Sequence, residues 1–320
     1  MSDFRTKDAK FVVKMPQCWD DSRLKRCIIS FIIPTYNRAP NLELLLKTLA
    51  PFLSSCCEII IVDDGSTDDT ETRVAHYLSH NIRYYKIKNS ERGVARNYGA
   101  QNARGDFLNF FDSDDFPLPN HTSVALTLIK QTPNIKWFHL NYATYRNERV
   151  ESARSFKGIG EITRSLLDGN CFSCNGVFIQ REFFLRNRFS TERNLSGSED
   201  YELWLRLYAQ EFPKFTNTVT SIIVDHSERS VKMPANRLFL LRINALLGHI
   251  KSEALDSGAF RGRRERIEAS VLSYASLHFS TANNRKLLAF KYWIMSLYCH
   301  PFGLFKIRTL IIFRNLFLRW

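Results

Sequence analysis

Glycine and proline are scarce in this chain, 13 and 10 among 320 residues. No internal repeat or low-complexity tract occurs. These absences exclude collagen-like, linker-like and disordered classes. No apolar run reaches the about 20 residues that a membrane-spanning helix requires. The longest uncharged stretch near the C-terminus, Tyr292 to Phe305, has 14 residues and contains His300 and Pro301. The polar N-terminus, MSDFRTKDAK, carries no signal-peptide pattern. Cysteine is limited to 7 residues, an odd number, and Cys171 and Cys174 form a lone C-x-x-C without a second pair. That spacing argues against a zinc or redox site and for reduced thiols of a cytosolic protein. Acidic residues are missing altogether after Glu268.

The last absence concentrates the charge. The net charge is +13, and from Arg229 to Trp320 there are sixteen Lys or Arg against four Asp or Glu, while the first 228 residues are almost balanced. A basic surface of this kind seeks nucleic acid, an anionic membrane or an anionic substrate. The length allows one large α/β domain with an appendage. Aromatics are plentiful at 13%, through 25 Phe.

Residues 1–26 read as an extension. The apolar, β-branched run Cys27 to Ile33 predicts a buried strand, and Glu58 to Val62 a second. Ile82 to Ile87 and Phe107 to Phe111 predict two more. Helical spacing between them appears at Leu42, Leu45, Leu46 and Leu49, and again over Gly93 to Ala103. Alternating strands and helices predict a mostly parallel sheet with helices on both faces. Ligands of such sheets bind beyond the carboxyl ends of the strands. Thr35, Tyr36, Asp63, Asp64, Asp112 and Asp114 fall at those ends.

The densest of these ends is Phe107 to Asp115, FLNFFDSDD, a mostly apolar run that meets three carboxylates. Carboxylates close together raise the cost of ionising one another. A hard divalent cation removes that cost, and magnesium or manganese prefers oxygen ligands. Open coordination positions on such a cation suit substrate phosphates, so a nucleotide-activated substrate is expected.

IPTYNR at 33–38, VDDGSTD at 62–68, GVARNYGA at 93–100 and FFDSDDFPLP at 110–119 together resemble glycosyltransferase family 2, in its order and spacing. The resemblance covers Cys27 to Ser230. It implies an A-type nucleotide-diphospho-sugar transferase fold, an inverting mechanism and Mn2+ or Mg2+ as cofactor. It further implies that Asp64 accepts the imide N–H of uracil, that Thr35 and Tyr36 line the base and ribose pocket, and that Arg96 contacts the nucleotide or diphosphate. By the same match Asp114 ligates the metal, and Asp112 holds ribose, metal-bound water or the metal. Turn chemistry explains Asp63 equally well, and a surface ion pair is the alternative for Arg96. Asp115 ranks below its neighbours, since it could cap the segment leading to Pro117.

Downstream, Ser196-Gly197-Ser198-Glu199-Asp200 resembles the family's Glu-Asp motif, which makes Asp200 the base that deprotonates the acceptor hydroxyl. Ser196-x-x-Glu199 is also a capping box. A base working near neutral pH wants a raised pKa or a poised hydrogen bond. His226 is implied as a metal or diphosphate contact, and Arg229 and Ser230 as diphosphate contacts. Asn175 is either a sugar contact or a turn residue.

Beyond residue 230 the chain reads as a basic, aromatic-rich helical appendage over 231–320. Arg237 to Ile250 predicts an apolar-rich helix. Lys and Arg interleave with aromatics from Arg285 to Trp320, which suits the headgroup zone of an anionic membrane, although the amphipathicity of the last helix is imperfect. A helical cap on the catalytic domain is the alternative. Nucleic acid is not expected as a partner, because no recognition motif accompanies the charge. Residues 156–207 also resemble bacterial transferases that extend lipid-linked oligosaccharides. The expected activity is therefore metal-dependent transfer from a UDP-sugar to a hydroxyl of a glycan acceptor carried on polyprenyl diphosphate, for cell-surface polysaccharide, at the cytoplasmic face of the membrane. A nucleotidyltransferase would need a Gly-rich loop after the first strand, and Pro34 to Arg38 has no glycine. A non-catalytic membrane-surface binding module on a transferase-like fold is the rival from another class, and the intact Asp64, Asp112, Asp114 and Asp200 argue against it.

Overall fold

The computed structural model describes residues 27–50, 53, 56–152, 155–225, 236–252, 255, 258–281 and 285–318. Nine strands among them form one sheet: β1 (Ile29–Thr35), β2 (Cys57–Asp63), β3 (Ile82–Lys86), β4 (Phe107–Phe110), β5 (Phe116–Pro117), β6 (Trp137–Arg146), β7 (Arg149–Ser152), β8 (Val177–Gln180) and β9 (Lys214–Val224). Their order is β3-β2-β1-β4-β8-β6-β9-β5, with β7 paired to β6. The first half, β3 to β4, is entirely parallel. The sheet turns antiparallel where β8 joins β4 and β6, and parallel again between β6 and β9.

Helices α1 (Ala39–Leu49), α2 (Thr70–Val74), α3 (Arg92–Asn102) and α4 (His121–Gln131) serve the parallel half. The remainder are α5 (Ile159–Asp168), α6 (Arg181–Arg186), α7 (Glu199–Gln210), α8 (Asn236–Ile250), α9 (Arg264–Ser280), α10 (Lys286–Cys299) and α11 (Ile307–Phe313). In the parallel half the inner strands β1 and β2 are buried throughout and read as largely apolar runs, whereas the edge strand β3, IRYYK, is only partly buried. Ile29, Phe31 and Ile33 of β1 pack into a core with Leu42, Leu45 and Leu46 of α1. Ile32, between them, points into a second core shared with Ala95 of α3 and Leu203 of α7. The period of two thus divides a single run between two cores.

The C-terminal helices join the second core. Phe239 of α8 stacks on His278 of α9, with centroids 3.8 Å apart, and meets Phe279 edge to face. Phe279 in turn stacks on Tyr292 of α10. Among the described residues no helix is long and apolar enough to cross a membrane.

Candidate active site

The register of the parallel strands collects the site. Thr35 pairs with Asp63 at the ends of β1 and β2, and Ile32 with Phe110 of β4, which delivers Asp112 and Asp114 beside them. The two loops beyond β1 and β2 are laced together. Asn37 donates its N–H to Ser66 Oγ at 2.9 Å, and its Oδ1 accepts from Thr67 N–H at 2.8 Å. Thr35, Tyr36, Asp64, Arg96, Asp112, Asp114 and Asp200 all line one cleft of about 730 Å3. Residues drawn from five separate motifs therefore share one cavity.

Within the paired acids after β2, the division of labour is clear. Asp63 is fully buried; its Oδ1 accepts from Ser66 N–H at 2.7 Å and its Oδ2 from the Tyr84 hydroxyl at 2.5 Å. It is a turn staple. Asp64 reaches the cleft, and its two oxygens accept the N–H groups of Ser90 and Glu91 at 2.7 and 2.9 Å. Burial pushes its carboxyl up, against those two donors. Glu91 sits at φ +80°, ψ 156°, a conformation costly outside glycine. Its strain is held by Asp64 on one side and by Arg193 and Ser196 on the other. The Thr35 hydroxyl is buried in the cleft wall without a partner, whereas Tyr36 stands half exposed at the mouth.

The acids after β4 divide similarly. Asp112 accepts from Arg96 Nη2 at 2.6 Å, and Asp114 from Arg38 Nη1 at 2.5 Å. Asp115 is almost wholly buried, accepting from Asn175 Nδ2 at 2.8 Å and from Val224 N–H at 2.9 Å. Asn175 completes the turn, since its Oδ1 accepts the Asp112 N–H at 3.1 Å. The buried Asn175 amide thus fixes the backbone of Asp112 against Asp115.

Arg96 is fully buried, which removes the surface ion pair considered for it. One nitrogen binds Asp112; another, Nη1, binds Glu199 at 2.9 Å, and its Nε has no hydrogen-bond partner. The guanidinium lies 5.1 Å from the centre of the Phe189 ring. It joins the acids after β4 to the Glu-Asp motif.

The capping box expected at Ser196 and Glu199 does not form. Helix α7 begins at Glu199 itself, whose carboxylate accepts from Gly197 N–H, while Ser196 donates to Glu91. Gly197 has φ +87°, and α8 packs against it through the guanidinium of Arg242. Burial opposes ionisation of Glu199, but Arg92 and Arg96 overcome it and hold this carboxyl below the usual range. Asp200 is half-buried beside it. Burial first, and then the Glu199 charge, push the Asp200 carboxyl up to about 6. Asn170 donates to its Oδ2 at 2.8 Å and the Tyr201 N–H to its Oδ1 at 2.7 Å.

His226, Arg229 and Ser230 lie outside the described residues. Among the described residues, no group of three His, Cys, Asp or Glu side chains is arranged to hold a metal ion. Asp112 and Asp114 nevertheless supply two carboxylates to the cleft, a donor set that fits magnesium or manganese when substrate phosphates complete the coordination. Arg38, Asn170 and Arg242 are site residues that motif reading missed. Arg38 was within a quoted motif, but its partner is 76 positions away.

A parallel half-sheet with a cleft at its strand ends, continued by a mixed half that adds the carboxylate of Asp200 to that cleft, is the architecture of A-type glycosyltransferases. The chain belongs to glycosyltransferase family 2: residues 30–192 match the family model described as Glycosyl transferase family 2. An uncharacterized glycosyltransferase of Haemophilus influenzae is 33% identical over 214 residues, covering 63% of this chain and 70% of that one. The Escherichia coli UDP-Glc:alpha-D-GlcNAc-diphosphoundecaprenol beta-1,3-glucosyltransferase WfgD is 27% identical over 182 residues, covering 56% of this chain and 69% of its own. Among solved structures, S. aureus TarS 1-349 in complex with UDP-GlcNAc has the same fold, with a TM-score of 0.64 at 20% identity over 84% of this chain and 79% of that one.

Proposed function

We propose that this glycosyltransferase moves a hexose or N-acetylhexosamine from a UDP-sugar to a hydroxyl of a glycan carried on polyprenyl diphosphate, with inversion, at the cytoplasmic face of a membrane. The observation that carries the proposal is Asp200. It is a half-buried carboxylate with a raised pKa, oriented by Asn170 and Tyr201, in the same cleft as Asp64, Asp112 and Asp114. The relative that acts on a diphosphoundecaprenol-linked sugar supports the acceptor class.

In this mechanism Asp64 and the unpartnered Thr35 hydroxyl receive the uracil and ribose, with Tyr36 closing over them. Asp112 and Asp114 would hold Mn2+ or Mg2+, with His226 a further candidate. When bound, the cation would act as a Lewis acid that stabilises charge on the departing UDP. Arg38 neutralises Asp114 until then, and Arg96 holds Asp112 in place. Asp200 accepts the proton of the acceptor hydroxyl, whose oxygen attacks the anomeric carbon opposite the leaving group. Ionised Asp200 next to ionised Glu199 is a strained pair, which favours its taking a proton. Arg229 is proposed to contact the diphosphate.

The test is a UDP-release screen across UDP-sugars, with polyprenyl-linked acceptor and added Mn2+. The wild type is expected to release UDP only with acceptor and metal present, and the product is expected to have the inverted anomeric configuration. Asp114→Asn is expected to abolish the response to metal. A retained configuration would remove Asp200 as a single-displacement base, and full activity of Asp114→Asn would remove the metal site.

A further inference from the structure

Helix α10 is apolar on both faces. Ala289, Tyr292, Trp293 and Ser296 are buried against the body of the protein. Leu287, Phe290, Ile294, Met295 and Tyr298 recur at helical spacing on the outside, and Leu287 and Tyr298 are 88% and 90% exposed. A helix apolar all round belongs in a core or at a lipid boundary. This one has a core on one side only. The stripe continues past its end. Phe302 and Phe305 are exposed in the turn that follows, and Ile307, Leu310 and Phe313 project from α11. The surfaces are contiguous, because Phe317 touches Phe290 at 6.2 Å and Phe313 at 5.0 Å between centroids. Scattered exposed apolar residues are ordinary, but a continuous apolar face of this extent marks an interaction site.

The charge around this face selects the occupant. Lys291 and Arg314 are exposed within it and Arg285 at its edge, and no acidic residue follows Glu268. Two copies meeting through this face would bring like charges together. An anionic lipid surface offers both apolar tails for the stripe and phosphates for its cations.

We propose that the outer face of α10 and α11 docks the enzyme in the headgroup zone of an anionic bilayer, with the helices lying in the membrane plane. Its placement serves the acceptor. Asp168, at the end of α5, receives Arg266 of α9 at 3.1 Å and Lys306, just before α11, at 2.5 Å. Its carbonyl accepts from Ser270 and Arg308. Two residues on, Asn170 holds Asp200. The docking face is thereby fastened to the wall that carries the proposed base. This last point rests on the lipid-linked acceptor reading, while the docking face itself does not.

Flotation of the full chain with phosphatidylcholine vesicles containing phosphatidylglycerol, against pure phosphatidylcholine, tests the surface. The wild type is expected to float with the anionic vesicles only. Lys291→Glu with Arg314→Glu is expected to weaken binding by at least fivefold per charge. The triple variant Leu287→Ser, Ile307→Ser, Leu310→Ser is expected to weaken it tenfold or more at unchanged UDP binding in calorimetry and an unchanged midpoint of thermal unfolding, which report an intact fold. Wild type that stays unbound, or variants that bind as it does, would overturn the proposal. So would a dimer in sedimentation equilibrium that the triple variant dissociates without vesicle binding. Vesicle binding without transfer to polyprenyl-linked acceptor would keep the surface and remove the acceptor reading; transfer without vesicle binding would do the reverse.

Discussion

With Asp200 as the proposed base, its proton uptake couples activity to stability. Its pKa in the fold, about 6, lies above the ordinary 3.8. The folded chain therefore binds a proton that the unfolded chain has released, and stability falls as pH rises from about 4 to about 6. Over the same window the fraction of ionised base grows, so kcat/KM is expected to rise and level off above pH 6. Asp200→Asn is expected to lower kcat by about 100-fold to 10,000-fold, to flatten that limb in a pH-rate profile, and to leave the KM for donor nearly unchanged. At this scale Asp64, Asp112 and Asp114 were readable from sequence because they follow apolar runs, and Asp200 because it stands in a Glu-Asp motif. Their partners were not. Arg38 lies 76 positions from Asp114, and Asn170 30 from Asp200, and only the folded chain brings them together. The roles of Asp63 and Asp64 separate for the same reason, since two adjacent acids look alike until Tyr84 and Ser66 claim one of them.

Among the elements, the parallel half was legible, with strand ends displaced by up to two residues. The inner strands β1 and β2 are largely apolar runs, and the βαβ alternation implied their parallel pairing, although not the placement of β4 beside β1. The other half was obscured. Strands β6 and β9 mix Thr, Tyr and Asn with apolar residues, and much of β9 is partly or fully exposed, so neither shows a clean period of two. The poor amphipathicity of the C-terminal segment has a related cause: α10 is apolar on its packed face and on its outer face alike. The turn after β4 shows how one element depends on another. Asn175, which precedes β8, is buried between the Asp112 N–H and the Asp115 carboxylate. Asn175→Ala leaves a buried acceptor and donor unmatched. It is expected to cost about 1–3 kcal/mol in urea unfolding and to reduce donor affinity in calorimetry, because Asp112 loses its backbone anchor.

In the whole molecule, Arg96 ties the parallel half-sheet, through Asp112, to helix α7, through Glu199 beside the proposed base. Truncation would take a charged partner from both Asp112 and Glu199, leaving Glu199 to Arg92 at 3.6 Å. Arg96→Ala is expected to destabilise the protein by about 3–5 kcal/mol, seen as a lower midpoint of thermal unfolding. Arg96→Lys is expected to recover only part of this, because a point charge cannot bridge two carboxylates as the planar fork does.

The antiparallel entry of β8 beside β4 has an evolutionary consequence. It brings the start of one strand next to the end of another, so two sheet halves with separate connections meet along a single seam. If the proposed roles hold, acceptor preference can diverge in residues 137–210 independently of the donor cleft before them, and chimeras cut at the seam would be expected to change the linkage. Any such exchange must bring a carboxylate to position 199, or the inherited guanidinium at 96 is left half unpaired.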